Sequence, residues 1–189
     1  IAMDDKRFFL ERLINEHPES RILVFVRTKV RAERVSAALA RVDIKSLTMH
    51  GDKEQKERIL ALRQFRDGAV LVLIATDVSA RGIDIDGVEY VVNYDLPEQA
   101  ENYVHRVGRT GRGKKRGTAI AFCSPEEKPL LDAIEEYTGN KISVLEITRS
   151  DYSATLDLTS ESKADWKSLV EQAEKEEEKY LKGKKKKKW

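Results

Sequence analysis

The chain has 189 residues, 40% of them hydrophobic and 36% charged, with 35 Lys and Arg against 33 Asp and Glu for a formal net charge of +2. That length suits one globular domain with an appendage, and the near balance of charge excludes nucleic-acid binding driven by overall charge, leaving local clusters as its only source. The single cysteine, Cys123, excludes an intrachain disulfide and a multi-thiol zinc site, and with no long apolar run and no signal-peptide pattern a cytoplasmic protein is expected, with no membrane partner.

The first pattern, over 4–17 (DDKRFFLERLINEH), is helical, and because the chain begins at Ile1 inside it, without an initiator methionine, it reads as a piece of something longer. Short β-branched runs then alternate with amphipathic segments. Strands are predicted over 21–26, 44–49, 70–76, 88–94, 118–123 and 142–147, and helices over 28–41, 53–66, 98–107 and 125–138. Two helix starts are marked: Asp52 with Gln55 as a capping box, and Ser124, Pro125 and Glu127 as N-cap, N1 proline and N3 acid. Apolar strands separated by helices are strands buried on both faces, so the expected fold is α/β, a doubly wound and mainly parallel sheet with helices on each side. Beyond 150 the apolar periodicity weakens. A charged helical pattern over 161–182 has few apolar positions and is followed by GKKKKKW, so the expected organisation is a domain over 1–150 and a charged, partly helical extension over 151–189. A solvated helix and an amphipathic helix packed on the domain or a partner both fit it; the lysines suit either solubility or a nonspecific nucleic-acid contact.

In such sheets ligands gather at the carboxyl ends of the strands. The loops there are polar: RTK after the first strand, HGD after the second, TDVSARGIDID after the third, NYDLP after the fourth. The densest cluster is YVHRVGRTGRG at 103–113, with Arg106, Arg109 and Arg112 three residues apart among glycines; residues 105–116 hold six Arg or Lys and no acid. Guanidinium forks bind phosphate oxygens, and glycines let backbone N–H groups approach the same oxygens. Yet no GxxxxGK[ST] cradle is present to hold a nucleotide. Phosphate-binding arginines without a cradle suggest arginines offered to a nucleotide held by another domain. A solvated basic loop is the bland alternative.

ILVFVRTK (22–29), MHGDKEQKERILALRQFRDG (49–68), VLIATDVSARGIDIDGVEYVVNYDLP (72–97) and YVHRVGRTGRGKKRG (103–117) resemble, in order, motifs IV, IVa with its QxxR, V with Va, and VI of the DEAD-box RNA helicases. The resemblance covers about residues 1–150 and implies the second, C-terminal RecA-like lobe. It implies ATP with Mg²⁺ as cofactor, held mainly by the absent N-terminal lobe, which is also the implied partner along with RNA. Arg109 and Arg112 fall where the family's arginine fingers reach the γ-phosphate, His105 and Arg106 where it contacts the first lobe, and Asp84 and Gly82 beside the nucleotide, Asp84 at the ribose. Asp77 is expected to order its own loop. For His105, a plain structural histidine is the competing reading.

The resemblance also implies RNA-backbone contacts at Thr28, Gly51, Arg58, Thr76 and Gly82. Arg58 has two offices open to it, support of the motif V loop or a phosphate contact, and with Gln55 it also fits an ordinary surface helix. At Arg27 the family more often has asparagine or an acid, so the arginine adds a potential phosphate contact. The tail, with ITRSDY before it, is similar to the bacterial RhlE-type branch. The implied function is one lobe of an ATP-dependent RNA helicase, a monomer, inactive as a hydrolase by itself. The alternatives are a stand-alone RNA-binding or regulatory module and a lobe of a superfamily 2 DNA helicase. No metal ligands are expected in this chain.

Overall fold

Aliphatic runs that are apolar at every position can be buried only where both faces of a sheet are covered. The computed structural model describes residues 1–80, 85, 88–111 and 117–157, and in it those runs form one sheet. Strands β1 (Ile22–Phe25), β2 (Leu47–Met49), β3 (Val72–Ala75), β4 (Tyr90–Asn93) and β5 (Thr118–Ala121) lie in the order β2-β3-β1-β4-β5. Every pairing is parallel, and the register sets Val24 of the central strand beside Ile74 and Val92.

Helices α1 (Lys6–Glu16), α2 (Lys29–Ala40), α3 (Gln55–Arg66), α5 (Ala100–Val107) and α6 (Lys128–Thr138) connect and flank the strands. Leu23, Phe25, Leu73, Ala75 and Val91 pack with Leu62 and Phe65 of α3 on one face. Ile22, Val24, Ile74 and Val92 alternate to the other face and are equally buried, where α1 and α2 lie. Each such side chain contributes about 1.5–3 kcal/mol on burial, so the central strands hold the fold. Leu96, Leu131 and Ile134 form a second cluster that ties α6 to the segment after β4.

The chain divides into two units, Ile1–Leu145 and Glu146–Trp189. In the second, α7 (Arg149–Asp157) begins where the Asp151 N–H donates to Thr148 Oγ1 at 3.1 Å. The helical pattern expected over 161–182 and the lysine tail lie outside the described residues.

Three expectations are corrected. Residues 142–147 form no strand: Ile142 packs on the α6 cluster, Val144 and Leu145 are 75% and 78% exposed, and the segment has no ladder partner among the described residues. The capping box of α3 is Glu54 with Glu57, two residues later than predicted, because Gln55 is already helical and Asp52 is drawn to Lys29 Nζ at 2.5 Å. The loop after β3 begins with a single helical turn, α4 (Asp77–Ala80), that periodicity did not signal. The Ser124–Glu127 box forms as expected, though its first turn, Pro125–Glu127, is a 3₁₀ helix.

A buried ionic knot fastens α1 to the carboxyl ends of the strands. Lys6, fully buried, donates to the Glu127 carboxylate and to the Tyr94 carbonyl at 2.7 Å, with Asp95 at 4.0 Å. Burial pulls the Lys6 ammonium below its ordinary pKa, with the hydrogen bond to Glu127 opposing. Arg31 Nη1 bonds Asp95 Oδ1 at 2.6 Å from α2.

Candidate functional site

The polar loops predicted from the sequence all leave the carboxyl ends of the strands, and one side chain gathers three of those ends. Arg106, in the last turn of α5, is 1% exposed. Its Nε and Nη2 reach Asp77 Oδ1 and Oδ2 at 2.6 and 2.8 Å, at the end of β3. Its Nη1 reaches Asn93 Oδ1 at 3.0 Å and the Asp95 carbonyl at 2.7 Å, at the end of β4. The guanidinium lies 5.1 Å from the Phe25 ring centroid, at the end of β1. A buried guanidinium is tolerable only when its donors are matched, and here a bidentate carboxylate and two further oxygens match them.

The Arg106 guanidinium is thus committed inside the lobe, where it holds the last turn of α5 to the strand ends. His105, the next residue back, faces outward: its side chain is 61% exposed and Nε2 is 3.3 Å from Glu101 Oε1, one turn earlier on α5. The two neighbours thus divide inward and outward, as adjacent positions on a helix must.

The turn carrying Arg109 is fastened on either side. The Arg109 N–H donates to the Arg106 carbonyl at 3.1 Å and the Thr110 N–H to the Val107 carbonyl at 3.1 Å, extending α5 by a tight turn. Thr110 Oγ1 then donates to the Val88 carbonyl at 2.5 Å, and residues 88 and 110 form an isolated parallel bridge. Gly111 follows with φ of +70°, a conformation that favours glycine. A Cβ on Gly117 would lie 1.6 Å from Thr110 Oγ1, so that glycine is required by the close approach of the returning chain. Arg109 itself is half-buried. Arg112, Gly82 and Asp84 lie outside the described residues.

The other predicted contacts sit on neighbouring loops. Thr28 caps α2, accepting the Arg31 N–H at 3.1 Å on its hydroxyl, and is exposed. Gly51 is exposed, and a Cβ built on it meets nothing within 4 Å. Thr76 is buried, its hydroxyl 3.1 Å from Ser79 Oγ, while Ser79 Oγ donates to the Met49 carbonyl at 2.6 Å and latches the β3 loop to the end of β2. Arg58 Nη2 donates to the Ser79 carbonyl at 3.3 Å and Nη1 to Gln55 Oε1 at 3.3 Å, so α3 braces the same loop. Arg27 Nη2 donates to the Leu96 carbonyl at 3.3 Å and to Glu127 Oε1 at 3.5 Å, with its side chain 38% exposed.

Sequence reasoning missed Asn93 and Asp95 as acceptors for Arg106, Thr110 as an anchor, and the Ser79 latch. A signal existed for Asn93 alone: it is the polar break in the apolar run YVVNY, and a fully buried amide needs a partner. It also missed Glu33 beside His50, 2.7 Å away, next to Gly51; that hydrogen bond is the chief reason the Glu33 carboxyl is held down to about 2. Among the described residues no group of His, Cys, Asp and Glu could hold a metal ion, and no helix is long and apolar enough to cross a membrane.

Residues 5–114 match the helicase conserved C-terminal domain family. The chain is similar to the DEAD-box ATP-dependent RNA helicase CshA of Bacillus subtilis, at 47% identity over 133 residues covering 70% of this chain and 27% of that protein. It is similar to the ATP-dependent RNA helicase RhlB of Pseudomonas syringae, at 41% identity over 143 residues covering 76% and 36%. It therefore spans well under half the length of these curated relatives. Among solved structures it resembles E. coli SrmB, a DEAD-box protein bound to regulator of ribonuclease activity A, at TM-score 0.73 and 34% identity, covering 77% of this chain and 86% of that one. The C-terminal domain of the DEAD-box protein Dbp5 superposes at TM-score 0.71 with 34% identity, covering 84% and 91%.

Proposed function

Because the chain belongs to the DEAD-box RNA helicases, as their helicase C-terminal domain, we propose that it is the second lobe of an ATP-driven RNA-remodelling enzyme. Its partner is the N-terminal lobe of the same protein, which would hold ATP and Mg²⁺. That nucleotide supplies a phosphoryl group whose transfer to water drives release of RNA. The work of this lobe is to deliver charge to it. The observation that carries the reading is the fastening of the Arg109 turn, by Arg106 to the strand ends on one side and by Thr110 to Val88 on the other. Donors held in place before reaction cost no reorganisation during it, and an arginine supplied to a transferring phosphoryl group is worth about 10³–10⁵ in rate. Arg112 would act beside Arg109, and Asp84 with Gly82 would meet the ribose side of the nucleotide. His105, exposed on α5, would meet the first lobe.

Single-stranded RNA would cross the same edge through Thr28, Gly51, Thr76 and Gly82. Gly51 supports this: neither backbone conformation nor packing requires a glycine there, so its open surface suits a sugar-phosphate strand. Arg58 acts on RNA through the loop it braces at Ser79. The lysines of 182–189 would add a salt-sensitive tether, and deleting them should flatten the salt dependence of RNA affinity. The expected state is a cytoplasmic monomer, with no ATP hydrolysis by this lobe alone.

The test joins this chain to its N-terminal lobe and measures ATP hydrolysis stimulated by RNA or by DNA. Arg109→Ala should retain the fold and lose about 10³-fold in rate. Unchanged hydrolysis in that variant removes the phosphate reading, and stimulation by DNA equal to that by RNA moves the assignment to a DNA helicase.

A further inference from the structure

The edge proposed for RNA holds one acid that the helicase reading leaves without a role. Glu33 lies in the second turn of α2, five residues beyond Thr28, or about 7.5 Å of helix rise. Three donors from β2 and the turn after it converge on its Oε1: Thr48 Oγ1 at 2.8 Å, His50 Nε2 at 2.7 Å and Lys53 Nζ at 3.2 Å. The carboxyl, held down to about 2, is ionised at neutral pH and can only accept, so Nε2 is the donor on the imidazole. His50 is 6% exposed, and its Nδ1 is buried without a hydrogen-bond partner. Among the described residues, hydrogen bonding therefore orients the ring through Glu33 alone.

We propose that Glu33 is a positioning residue for RNA: by holding His50 it fixes the Gly51 turn at a set distance from Thr28, so that both segments meet one sugar-phosphate strand together. The role rests on the reading that these two segments contact RNA, and adds what sets their spacing. Gly51 follows His50 directly and is exposed, with open space where a Cβ would be, so its own packing does not hold it. The Lys53 N–H donates to the His50 carbonyl at 3.1 Å and closes the turn around Gly51 and Asp52. A second bridge, Lys29 Nζ to Asp52 Oδ2 at 2.5 Å, joins the same two segments, but both side chains are more than half exposed, and such pairs order little. The Glu33 bond differs because its imidazole is buried. On the far side of β2 the Met49 carbonyl accepts the Thr76 N–H at 3.2 Å and Ser79 Oγ at 2.6 Å, which already fastens the strand end to the motif V loop. Glu33 completes that grip from α2. A surface ordered before its ligand arrives loses less freedom on binding, so the hydrogen bond favours RNA although the charge repels phosphate.

Those two effects have opposite signs, and the experiment separates them. In the chain joined to its N-terminal lobe, ATP hydrolysis is followed against the concentration of single-stranded oligouridylate, giving a half-saturating concentration and a rate at saturation. Glu33→Ala should raise the half-saturating concentration roughly threefold to tenfold, the effect of freeing one ordered group, and leave the saturated rate as in the parent. Glu33→Gln removes the same charge but keeps an oxygen for His50, and should recover most of that loss. Circular dichroism checks the fold of both variants; the position is half-exposed on a helix, where alanine is well tolerated. Tighter RNA binding in both variants would mean that the charge alone matters, and overturns the proposal. So does a loss in Glu33→Gln equal to that in Glu33→Ala, since the hydrogen bond would then not be the cause. A parent that RNA fails to stimulate overturns the RNA reading and this role with it, whereas a stimulated parent with an indifferent Glu33→Ala overturns this role alone.

Discussion

Arg106 and Asp77, 29 residues apart in sequence, are joined by a fork of two parallel hydrogen bonds, Nε to Oδ1 at 2.6 Å and Nη2 to Oδ2 at 2.8 Å. The fork ties the last turn of α5 to the first residue of α4, just after β3, and so holds the turn that carries Arg109 in a fixed position relative to the motif V loop. Removing one member leaves the other charged without its partner.

Arg106→Ala should therefore cost about 3 kcal/mol or more, the usual toll for breaking a buried pair. Arg106→Lys keeps the charge but not the planar fork, and should recover less than half of that loss. Thermal unfolding followed by circular dichroism measures both. A melting temperature unchanged in the alanine variant would mean that the fork does not hold the site together. Arg109→Ala removes no fully buried fork and should cost much less than Arg106→Ala, which separates the positioning arginine from the one proposed to touch phosphate.

The glycines make a paired test. A Cβ at Gly117 would sit 1.6 Å from Thr110 Oγ1 and 2.6 Å from the Gly111 nitrogen, whereas at Gly51 it meets nothing within 4 Å. Gly117→Ala should displace Thr110 from Val88, lower stability by about 1–3 kcal/mol and slow ATP hydrolysis in the joined protein. Gly51→Ala should leave the melting temperature alone and weaken RNA binding. If Gly51→Ala binds RNA as the parent does, the strand does not approach there.

Much of this could be read from the residues because the evidence was periodic or compositional. The runs RILVFV and VLVLIAT announce strands covered on both faces, and the loops after them announce the edge where the site lies. What could not be read was decided by packing at long range. Nothing in HRVGR distinguishes an arginine that turns inward from one that turns out; Asp77, Asn93 and the Asp95 carbonyl converge on Arg106 only once β1, β3 and β4 are adjacent. Val144 and Leu145 have strand chemistry, yet without a ladder partner among the described residues they remain irregular. The α7 start was legible in principle, since Thr148 and Asp151 have capping spacing.

Glu33 makes the acid side of the stability profile specific. Its carboxylate meets His50 Nε2 at 2.7 Å, Thr48 Oγ1 at 2.8 Å and Lys53 Nζ at 3.2 Å, and is held from 4.5 down to about 2, by the His50 bond above all. A carboxyl whose folded pKa is depressed contributes stability above its unfolded pKa and loses it as pH falls through the folded one. The difference in stability between the parent and Glu33→Gln should thus be present at about pH 5 and vanish toward about pH 2. Half exposure limits it to about 1 kcal/mol. Urea unfolding across that range reads it, and a difference that stays constant with pH would exclude Glu33 as its source.

Lys6 offers the sharpest test of what holds α1 to the lobe. Its ammonium is 0% exposed and the Glu127 side chain 3% exposed, so neither charge has water to fall back on. Lys6→Met leaves Glu127 with the Leu96 N–H at 3.1 Å, the Ser124 N–H at 3.1 Å and Arg27 Nη2 at 3.5 Å, which soften the loss without replacing an ammonium. The expected cost is about 3 kcal/mol, the lower end for a broken buried pair. Glu127→Gln leaves one oxygen where the Leu96 and Ser124 N–H groups use two, and it strands the ammonium, so it too should destabilise. Because each single change leaves an uncompensated charge and the double change leaves none, Lys6→Met with Glu127→Gln should cost less than the sum of the two, by about 1 kcal/mol or more. Costs that simply add would show that the two charges are not coupled and that α1 is held by its apolar face alone, through Phe8, Phe9, Leu10 and Ile14.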